Sequence, residues 1–458
     1  MGKVWAIARN LIMEVLRMRP LMILLTLMIG VSTLGFGYWL HASTGPIDEK
    51  VQTFISYSLT LAMTILSFLT IFISIATITR DIKRKEVFTV TTKPISRGQF
   101  LLGKLCGMIV LNLVFLGLFG ALIYGIARNM SRFEDASEGQ IRRLNELVLI
   151  ARKSVKPPFP DFRDQAYAEA DEMVAEEVRT RGIIDARGVE VMRTAAIQNR
   201  LEALTRERIA SVAPGGQKVW HFSGIDPIDQ EEGRVYVRYK LDVSYTPTDL
   251  HVYGDWLYGP QDPSIAGGTR RPSRDPVRTV REFSVQPTDI SPEGDLFVGF
   301  RNPVENSPAT IIFPPETGIE VLYVVDSFEG NFFRGLLLIL LRLIFLSVLG
   351  LAIGAWLGFP VALLCVLIVF ILAVASGFVG DAIQWEAGPV QKIIYEGVTA
   401  FIPRFAEYDP VPHLERGKLV SWPLLGQCTL YMMMFRAGIL AAFGYVIFRF
   451  RELARVIV

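Results

Sequence analysis

The chain has 458 residues, of which 51% are hydrophobic and 20% are charged, and its formal net charge is +2. Its mean hydropathy of +0.36 is too high for an ordinary soluble protein of this size. The composition therefore excludes that class and predicts a membrane protein, and no nucleic-acid partner is expected.

The apolar runs predict six membrane spans. A helix needs about 20 apolar residues to cross a bilayer. The stretches that meet this length are 22–39, 51–79, 105–127, 332–356, the part of the run 343–380 that follows a break at Gly358-Phe359-Pro360, and 424–448. The first of these is longer than the apolar part of a secretory signal peptide, so we expect it to remain as an anchor. The predicted fold is an all-α six-span helical bundle, with both termini on one side.

The charges of the loops predict which side that is. Residues 1–20, 78–104 and 448–458 carry net charges of +3, +5 and +2, whereas 41–50, 129–331 and 381–425 carry −1, −9 and −2. Lys and Arg near the ends of spans stay in the cytoplasm. We therefore expect a plasma-membrane protein, in a bacterium the cytoplasmic membrane, with both termini inside and a large extracytoplasmic insertion between spans 3 and 4.

The insertion changes its periodicity along the chain. Residues 129–212 are rich in Glu, Arg and Ala, with i,i+4 pairs such as Glu177 with Arg181, which predicts a stalk of solvated helices. The turn residues 213–216 then end the helical part. In residues 213–331 short segments alternate apolar and polar side chains, as from Val235 to Tyr245, which predicts a β-sandwich-like domain. Such domains bind sugars, peptides or other domains, and the pattern does not choose among them.

Two further segments are amphipathic. Residues 1–20 predict a basic amphipathic helix that lies in the cytoplasmic interface before the first span. Residues 381–423, between spans 5 and 6, are only partly apolar. They predict an external segment that either rests on the bilayer or caps the transmembrane pathway.

The loop between spans 2 and 3 carries the most specific motif. The sequence TTKPISRGQFLLGK, from Thr91 to Lys104, follows a run of charges and leads into an apolar span. It resembles the cytoplasmic loop of type-2 ABC transporter permeases, in which a Pro-hydrophobic-x-Arg run before a Gly-Lys membrane entry forms the coupling helix. The helix 1–20 is similar to the elbow helix of that family, and the ending FRFRE from Phe448 to Glu452 is similar to its closing span. The resemblance covers 1–128 and 332–458 but not the insertion.

The resemblance implies a permease subunit of an ATP-driven exporter that forms the substrate path. Its implied partners are a cytoplasmic ABC ATPase subunit, a second permease subunit in a homodimer or heterodimer, and membrane lipid. The implied ATPase-coupling residues are Glu86, Lys93, Pro94, Ile95, Ser96 and Arg97. Many family members have Gly-Thr after the glutamate where this chain has Val87-Phe88, so the motif departs from the family at that point.

Physical arguments give these residues separate roles in the coupling loop, 80–100. Pro94 suits the first turn of a short helix, because a backbone N–H at that position has no partner within the helix and its absence costs nothing. Ile95 is expected to fill an apolar groove on the ATPase, while Lys93 and Arg97 form ion pairs at the rim of that contact. The competing interpretation is an ordinary basic cytoplasmic loop, which explains the charges but not the Pro-Ile-Ser-Arg spacing.

No enzymatic site is predicted in this chain. Residues 98–104 satisfy most of the P-loop pattern, but Leu105 stands where the Mg²⁺-binding hydroxyl is required, and no strand precedes the motif. We therefore expect ATP hydrolysis in a separate subunit, and no catalytic, cofactor-binding or metal-binding residues. The three cysteines lie in predicted spans, and the four histidines show no metal-ligand spacing.

Two arginines lie near the middles of predicted spans. Arg342 and Arg436 are placed where a charge costs at least ~2.5 kcal/mol on insertion scales. Either they snorkel or cap backbone carbonyls, or they contact an anionic substrate or lipid phosphate along a possible substrate path. A second class of function also stays open: a non-transporting complex that uses the external domain to act mechanically on an envelope partner.

Overall fold

The structure is a computed structural model. It describes residues 2–18, 30, 45–84, 96–133, 136–158, 163–181, 186–204, 211–226, 235–247, 249–262, 268–314, 318–386, 397 and 402–450. The chain divides into two compact units, one formed by residues 1–151 and 327–458 and the other by residues 152–326.

The chain leaves the first unit once, forms the second unit and then returns to the first. The helices are α1 (Gly2–Leu16), α2 (Ile47–Lys83), α3 (Arg97–Phe133), α4 (Glu138–Leu147), α5 (Arg163–Arg181), α6 (Ala186–Leu204), α7 (Phe328–Trp356), α8 (Phe359–Glu386), a 3₁₀ turn (Phe405–Tyr408), α9 (Val411–Glu415), α10 (Trp422–Cys428), a π-helix (Thr429–Ala437) and α11 (Gly438–Phe450). The strands are β1 (Ile150–Val155), β2 (Ser211–Val212), β3 (Gln217–Phe222), β4 (Val235–Lys240), β5 (Asp242–Val243), β6 (His251–Gly259), β7 (Thr269–Pro276), β8 (Val280–Val285), β9 (Leu296–Arg301), β10 (Ile311–Ile312) and β11 (Ile319–Ser327).

Five described helices are long and apolar enough to cross a membrane, and they indicate a multi-pass membrane protein. They are Ile47–Lys83, Arg97–Arg132, Phe328–Trp356, Phe359–Gly377 and Trp422–Phe450. These correspond to predicted spans 2 to 6, and the break predicted at residues 358–360 falls between α7 and α8. The predicted first span, 22–39, lies outside the described residues except for Gly30.

The helices on either side of the basic loop extend beyond the predicted spans. Helices α2 and α3 have 37 residues each, which at 1.5 Å per residue makes each about 55 Å long, against a hydrocarbon core of about 30 Å. The predicted loop 80–100 is therefore shorter than expected, because α2 continues to Lys83 and α3 begins at Arg97. Residues 85–95, with Glu86, Lys93, Pro94 and Ile95, lie outside the described residues.

A chain of buried hydrogen bonds joins three of these spans. The Thr70 hydroxyl of α2 donates to Asn112 Oδ1 of α3 at 2.8 Å, and Asn112 Nδ2 donates to the Ser347 hydroxyl of α7 at 3.2 Å. All three side chains are at most 2% exposed. In an apolar environment such bonds satisfy groups that would otherwise be unpaired, so they fix the register of α2, α3 and α7.

The second unit is rich in antiparallel strands. Its described strands form three sheets with the orders β1-β11-β4-β8, β2-β10-β5 and β3-β9-β6-β7. The three sheets share one core, in which the fully buried Trp256 of β6 lies 4.9 Å from the Phe300 ring and 5.4 Å from the Phe283 ring. The alternation predicted for β4 is present, since Val235, Val237 and Tyr239 all enter this core.

The structure corrects the predicted boundary between helical and β regions. The segment 129–212, predicted as helical, contains α4, α5 and α6 but also β1 and β2, and the strands of the β-rich region form three antiparallel sheets. The sequence of β1 has little alternation, and its place in the sheet depends on partners far along the chain. Arg152 Nη1 lies 2.9 Å from Glu282 Oε2, and the Ser154 hydroxyl donates to Glu320 at 2.6 Å.

We expect the fragment 152–326 to fold without the membrane and to melt cooperatively with a β-rich circular dichroism spectrum. The shorter fragment 213–326 should melt at a lower temperature, because it lacks Arg152, whose side chain is 1% exposed and whose guanidinium pairs with the partly buried Glu282. The measurement is thermal melting of both fragments under the same conditions. Equal melting temperatures would show that residues 152–212, including the part of β1 that carries Arg152, contribute no stability to the sheets.

Candidate functional site

Helix α1 packs closely onto the beginning of α3. Its buried residues Ala8, Leu11 and Val15 follow helical spacing. Two glycines of α3 allow the approach: a Cβ at Gly103 would lie 2.7 Å from Ile7 Cβ, and one at Gly107 would lie 3.0 Å from the Ala8 carbonyl oxygen. Real Cβ atoms need more room than this, so the two glycines allow the backbones of α1 and α3 to approach more closely than any other residue would.

A buried ion pair connects the two helices from which the basic loop emerges. Lys104 Nζ of α3 lies 2.7 Å from Asp81 Oδ2 of α2, and the two side chains are only 3% and 7% exposed. The ammonium group also lies 5.7 Å from the centre of the Phe100 ring. A buried pair of this kind is strongly destabilised when one partner is removed, so it fixes the distance between the ends of α2 and α3.

Two more polar contacts bring α1 and the last helix to the same place. Arg80 Nη1 of α2 lies 2.8 Å from Glu14 Oε1 of α1. Arg97 Nη1 donates to the carbonyl oxygens of Phe448 at 3.0 Å and Arg449 at 2.6 Å, at the end of α11. We call this set, made of the Lys104–Asp81 and Arg80–Glu14 pairs with Arg97 and its two acceptors, the loop mount.

Only two of the six predicted coupling residues lie in the described part of the chain. Ser96 caps α3, since its hydroxyl accepts from Gln99 N–H and its own N–H donates to Gln99 Oε1, each at 3.2 Å. Arg97 was predicted at the rim of a partner contact, and in the structure it also binds the end of α11. The structure therefore assigns both residues to the start of α3.

Arg342 lies inside the helical unit and neither snorkels nor caps a carbonyl in the contacts that the described residues show. Its guanidinium lies 4.3 Å from the centre of the Phe405 ring and 5.4 Å from that of Phe370. Its Nη1 approaches Met63 Sδ at 3.2 Å, and its buried Nε has no hydrogen-bond partner among the described residues. Stacking on aromatic faces favours a cation in such a setting, so the rings replace the water that the charge has lost.

Phe405 belongs to a segment, residues 402–420, that folds into the helical unit. Phe405, Val411, Leu414 and Val420 are each at most 5% exposed. We call these residues, 402–420, the cap segment. Of the two predictions for the loop 381–423, its packing favours a cap over a segment that rests on the bilayer.

Close backbone approaches and one buried asparagine hold the cap segment. The fully buried Asn331 of α7 donates to the Lys418 carbonyl at 2.8 Å and accepts from Val420 N–H at 2.7 Å. A Cβ at Gly377 of α8 would lie 2.6 Å from Ala406 Cβ. The segment is thus fixed at its two ends, against α8 and against α7.

The cap segment also brings two polar side chains to the predicted path arginines. Asp409 is an electrostatic neighbour of Arg342, and Tyr408 is one of Arg436, which lies half-buried in the π-helix. Burial raises the pKa of Asp409, although the Val411 N–H and Arg342 act in the opposite direction. Two consecutive residues of the cap segment, Tyr408 and Asp409, thus interact electrostatically with two arginines that are 94 positions apart in the chain.

The sequence pattern does not identify Asp409 as a neighbour of Arg342, because Asp409 lies outside the apolar cores of the predicted spans. The sequence around Asp409 does contain a signal that this segment is packed against the protein. It is partly apolar, which is unusual for a solvated loop, and it is interrupted by Pro403, Pro410 and Pro412. π-Helical geometry around Arg436 had no such signal. Short π segments are frequent at functional sites.

We expect Asp409→Asn to raise the melting temperature at neutral pH. A carboxyl with a raised pKa in the folded state stabilises the fold fully below its unfolded pKa, about 3.8, and this contribution is lost as the pH rises through the folded value. Asn cannot ionise, and its oxygen can still accept the 3.0 Å bond from Val411 N–H.

The measurement is thermal melting of wild type and variant in detergent between pH 4 and pH 8. The difference between them should shrink toward pH 4, where the Asp409 carboxyl of wild type becomes protonated. A variant that melts below wild type at pH 7 would mean that attraction to Arg342 outweighs the cost of burial.

Comparison with known proteins gives no match to a family model, a curated protein or a solved structure. The resemblance to permeases thus rests on the residues that carry it. Within the described residues, no cluster of three His, Cys, Asp or Glu side chains has the arrangement of a metal site.

Proposed function

We propose that the chain is the transmembrane subunit of an ATP-driven ABC-type exporter, located in the plasma membrane with both termini in the cytoplasm. It forms the substrate path together with a second permease subunit, and a separate cytoplasmic ATPase drives it. The loop mount is the observation that supports this proposal most directly. A loop that transmits the movement of a soluble partner to membrane helices needs a stiff attachment, and the buried Lys104–Asp81 pair of 2.7 Å supplies one.

The same proposal gives the cap segment a role at the other end of the path. Arg342 and Arg436 would meet an anionic part of the substrate, and Phe405 covers Arg342 until the helices move. The guanidinium of Arg342 has exchanged water for aromatic rings, so an anionic group that reached it would gain a strong, poorly screened attraction.

The test is co-purification of the ATPase with variants of the coupling loop. Ile95→Asp should reduce ATPase recovery to near background, because it places a charge in an apolar groove at a cost of several kcal/mol. Lys93→Ala should have a small effect, because an exposed rim ion pair is worth ~0–1 kcal/mol.

Recovery is normalised to the permease in the membrane fraction, and both variants should insert normally because no span is changed. ATPase recovery with Ile95→Asp equal to that of wild type would mean that this loop is not the docking site. Arg97→Ala is less suitable as a control, since Arg97 also binds the end of α11.

A second function is favoured by the β-rich unit, which is compact and has a core of its own. In that function the complex does not transport, and the ATPase moves the spans so that the external unit changes its hold on an envelope partner. Measurement of ATPase activity in vesicles separates the two: stimulation by a candidate substrate favours export, whereas stimulation only by an envelope fraction favours the mechanical complex.

A further inference from the structure

A cavity of about 720 Å³ lies beside the end of α2 that precedes the basic loop. Phe72 and Ala76 of α2 line one part of it, together with Leu357 and Phe359 at the turn between α7 and α8. Arg80 and Lys83 line another part. The volume is in the range of small-molecule sites, about 300–1,000 Å³, and exceeds what an inorganic anion needs.

The lining changes from apolar to cationic along the axis of α2. Phe72 and Lys83 are eleven residues apart, which corresponds to about 16 Å of helix. The Phe72 ring is 43% exposed and meets the Phe359 ring edge to face at 5.4 Å. A ligand that fits this lining carries an apolar chain and an anionic head at its end.

The charges at the cationic end are not neutralised within the described residues. Arg80 shares its charge with Glu14 at 2.8 Å, but its side chain remains 36% exposed. Lys83 is exposed and forms no ion pair in the part of the chain that the structure describes. The first turn of α8, at Phe359, adds the positive end of a helix dipole to the same region. The positive charges of Arg80 and Lys83 and the positive helix end are thus balanced by a single described carboxylate, that of Glu14.

We propose that this cavity binds an anionic membrane phospholipid. Its phosphate pairs with Lys83 and Arg80, and one acyl chain lies along Phe72, Leu357 and Phe359. Basic pockets between membrane helices favour anionic lipid headgroups, and the predicted orientation places this pocket in the negatively charged cytoplasmic leaflet. The site does not depend on transport or on an ATPase.

The test is native mass spectrometry of the purified full-length protein in detergent, with phosphatidylglycerol or phosphatidylcholine of identical acyl chains. Wild type should retain phosphatidylglycerol preferentially. Lys83→Gln should lower that retention about fivefold and leave phosphatidylcholine retention unchanged, because one cation near a phosphate is removed. Arg84→Gln is the matched control: it removes one charge from the adjacent residue, which does not line the cavity, and should retain phosphatidylglycerol like wild type.

A second variant tests the apolar part of the site. Gly358 lines the cavity, and a Cβ there would meet no atom within 4 Å, so the side chain of Gly358→Leu has open space to occupy. This variant should reduce retention of both lipids. Gly117→Leu, at a glycine of α3 that also meets no neighbour, should not.

Three results would overturn the proposal. The first is equal retention of phosphatidylglycerol by wild type and Lys83→Gln, in protein that melts like wild type. The second is equal retention of the two lipids by wild type, which would indicate general detergent-like occupancy. The third is complete displacement of phosphatidylglycerol by an equimolar amount of inorganic phosphate, which would show that the cationic end binds a free anion without the chain.

Discussion

Replacement of Lys104 by Met is expected to lower the free energy of unfolding by about 3–5 kcal/mol, the typical cost of removing one partner of a buried ion pair. The Asp81 carboxylate, 7% exposed, then remains in a largely apolar environment without this cation. In a coupled complex we also expect ATPase-driven activity to fall further than the loss of folded protein explains, because the ends of α2 and α3 are no longer held together.

The measurement is thermal melting in detergent, with Arg142→Met as the matched control. Arg142 pairs with Glu146 at 2.9 Å, and the Arg142 side chain is 65% exposed. Loss of this exposed ion pair should lower the free energy of unfolding by only ~0–1 kcal/mol. The double variant Lys104→Met with Asp81→Leu removes both charges and should recover most of the stability, since buried pairs can be replaced by apolar residues at little cost. Equal melting temperatures of Lys104→Met and Arg142→Met would show that the Lys104–Asp81 pair does not stabilise the loop mount.

The spans could be predicted from sequence because their main determinant is local. Twenty apolar residues cross a bilayer as a helix whatever the rest of the chain does, and the break at Gly358-Phe359-Pro360 is a local backbone property. Their ends could not be predicted to the same accuracy. Helices α2 and α3 continue well past the apolar runs because Asp81 and Lys104, which sequence reasoning counted as loop charges, neutralise each other between the helices.

The β-rich unit was predicted only where alternation is strong. In β4, Val235, Val237 and Tyr239 enter the core at every second position, whereas β6 contains Gly254 at an inward position. A Cβ there would clash with the Phe300 ring, so packing requires the glycine, and its lack of a side chain hides the alternation. Strand β1 depends on Glu282 and Glu320, more than 120 positions away, and no local pattern identifies it.

The candidate site shows the same division between local and distant determinants. The motif around Ser96 and Arg97 and the two arginines in the spans are visible in the sequence. Their contacts are not, because Phe405 and Asp409 come from a segment that sequence reasoning placed outside the spans. A buried cation can be recognised from its span alone, but the residues that make its burial tolerable come from elsewhere in the chain.

Gly377→Val is expected to release the cap segment. A Cβ at this position would lie 2.6 Å from Ala406 Cβ, closer than real Cβ atoms come. Alanine has no flexible side chain that could move aside, so the backbone of either α8 or the cap segment must shift. In Gly335→Val the nearest atom is Leu414 Cδ1, also at 2.6 Å, and a leucine terminus can rotate. We therefore expect a larger effect at Gly377 than at Gly335, although the two distances are equal.

The measurement is the rate at which a maleimide labels Val411→Cys in a background where Cys106, Cys365 and Cys428 are replaced by Ala. Val411 is 5% exposed, so labelling should be slow in the parent and at least about tenfold faster with Gly377→Val, an energetic change of ~1.4 kcal/mol or more in the opening of the segment. Gly117→Val, at a position without neighbours within 4 Å, should label like the parent. Unchanged labelling with Gly377→Val would mean that the cap segment is held elsewhere, by Asn331, and that the contact with α8 does not control access to Arg342.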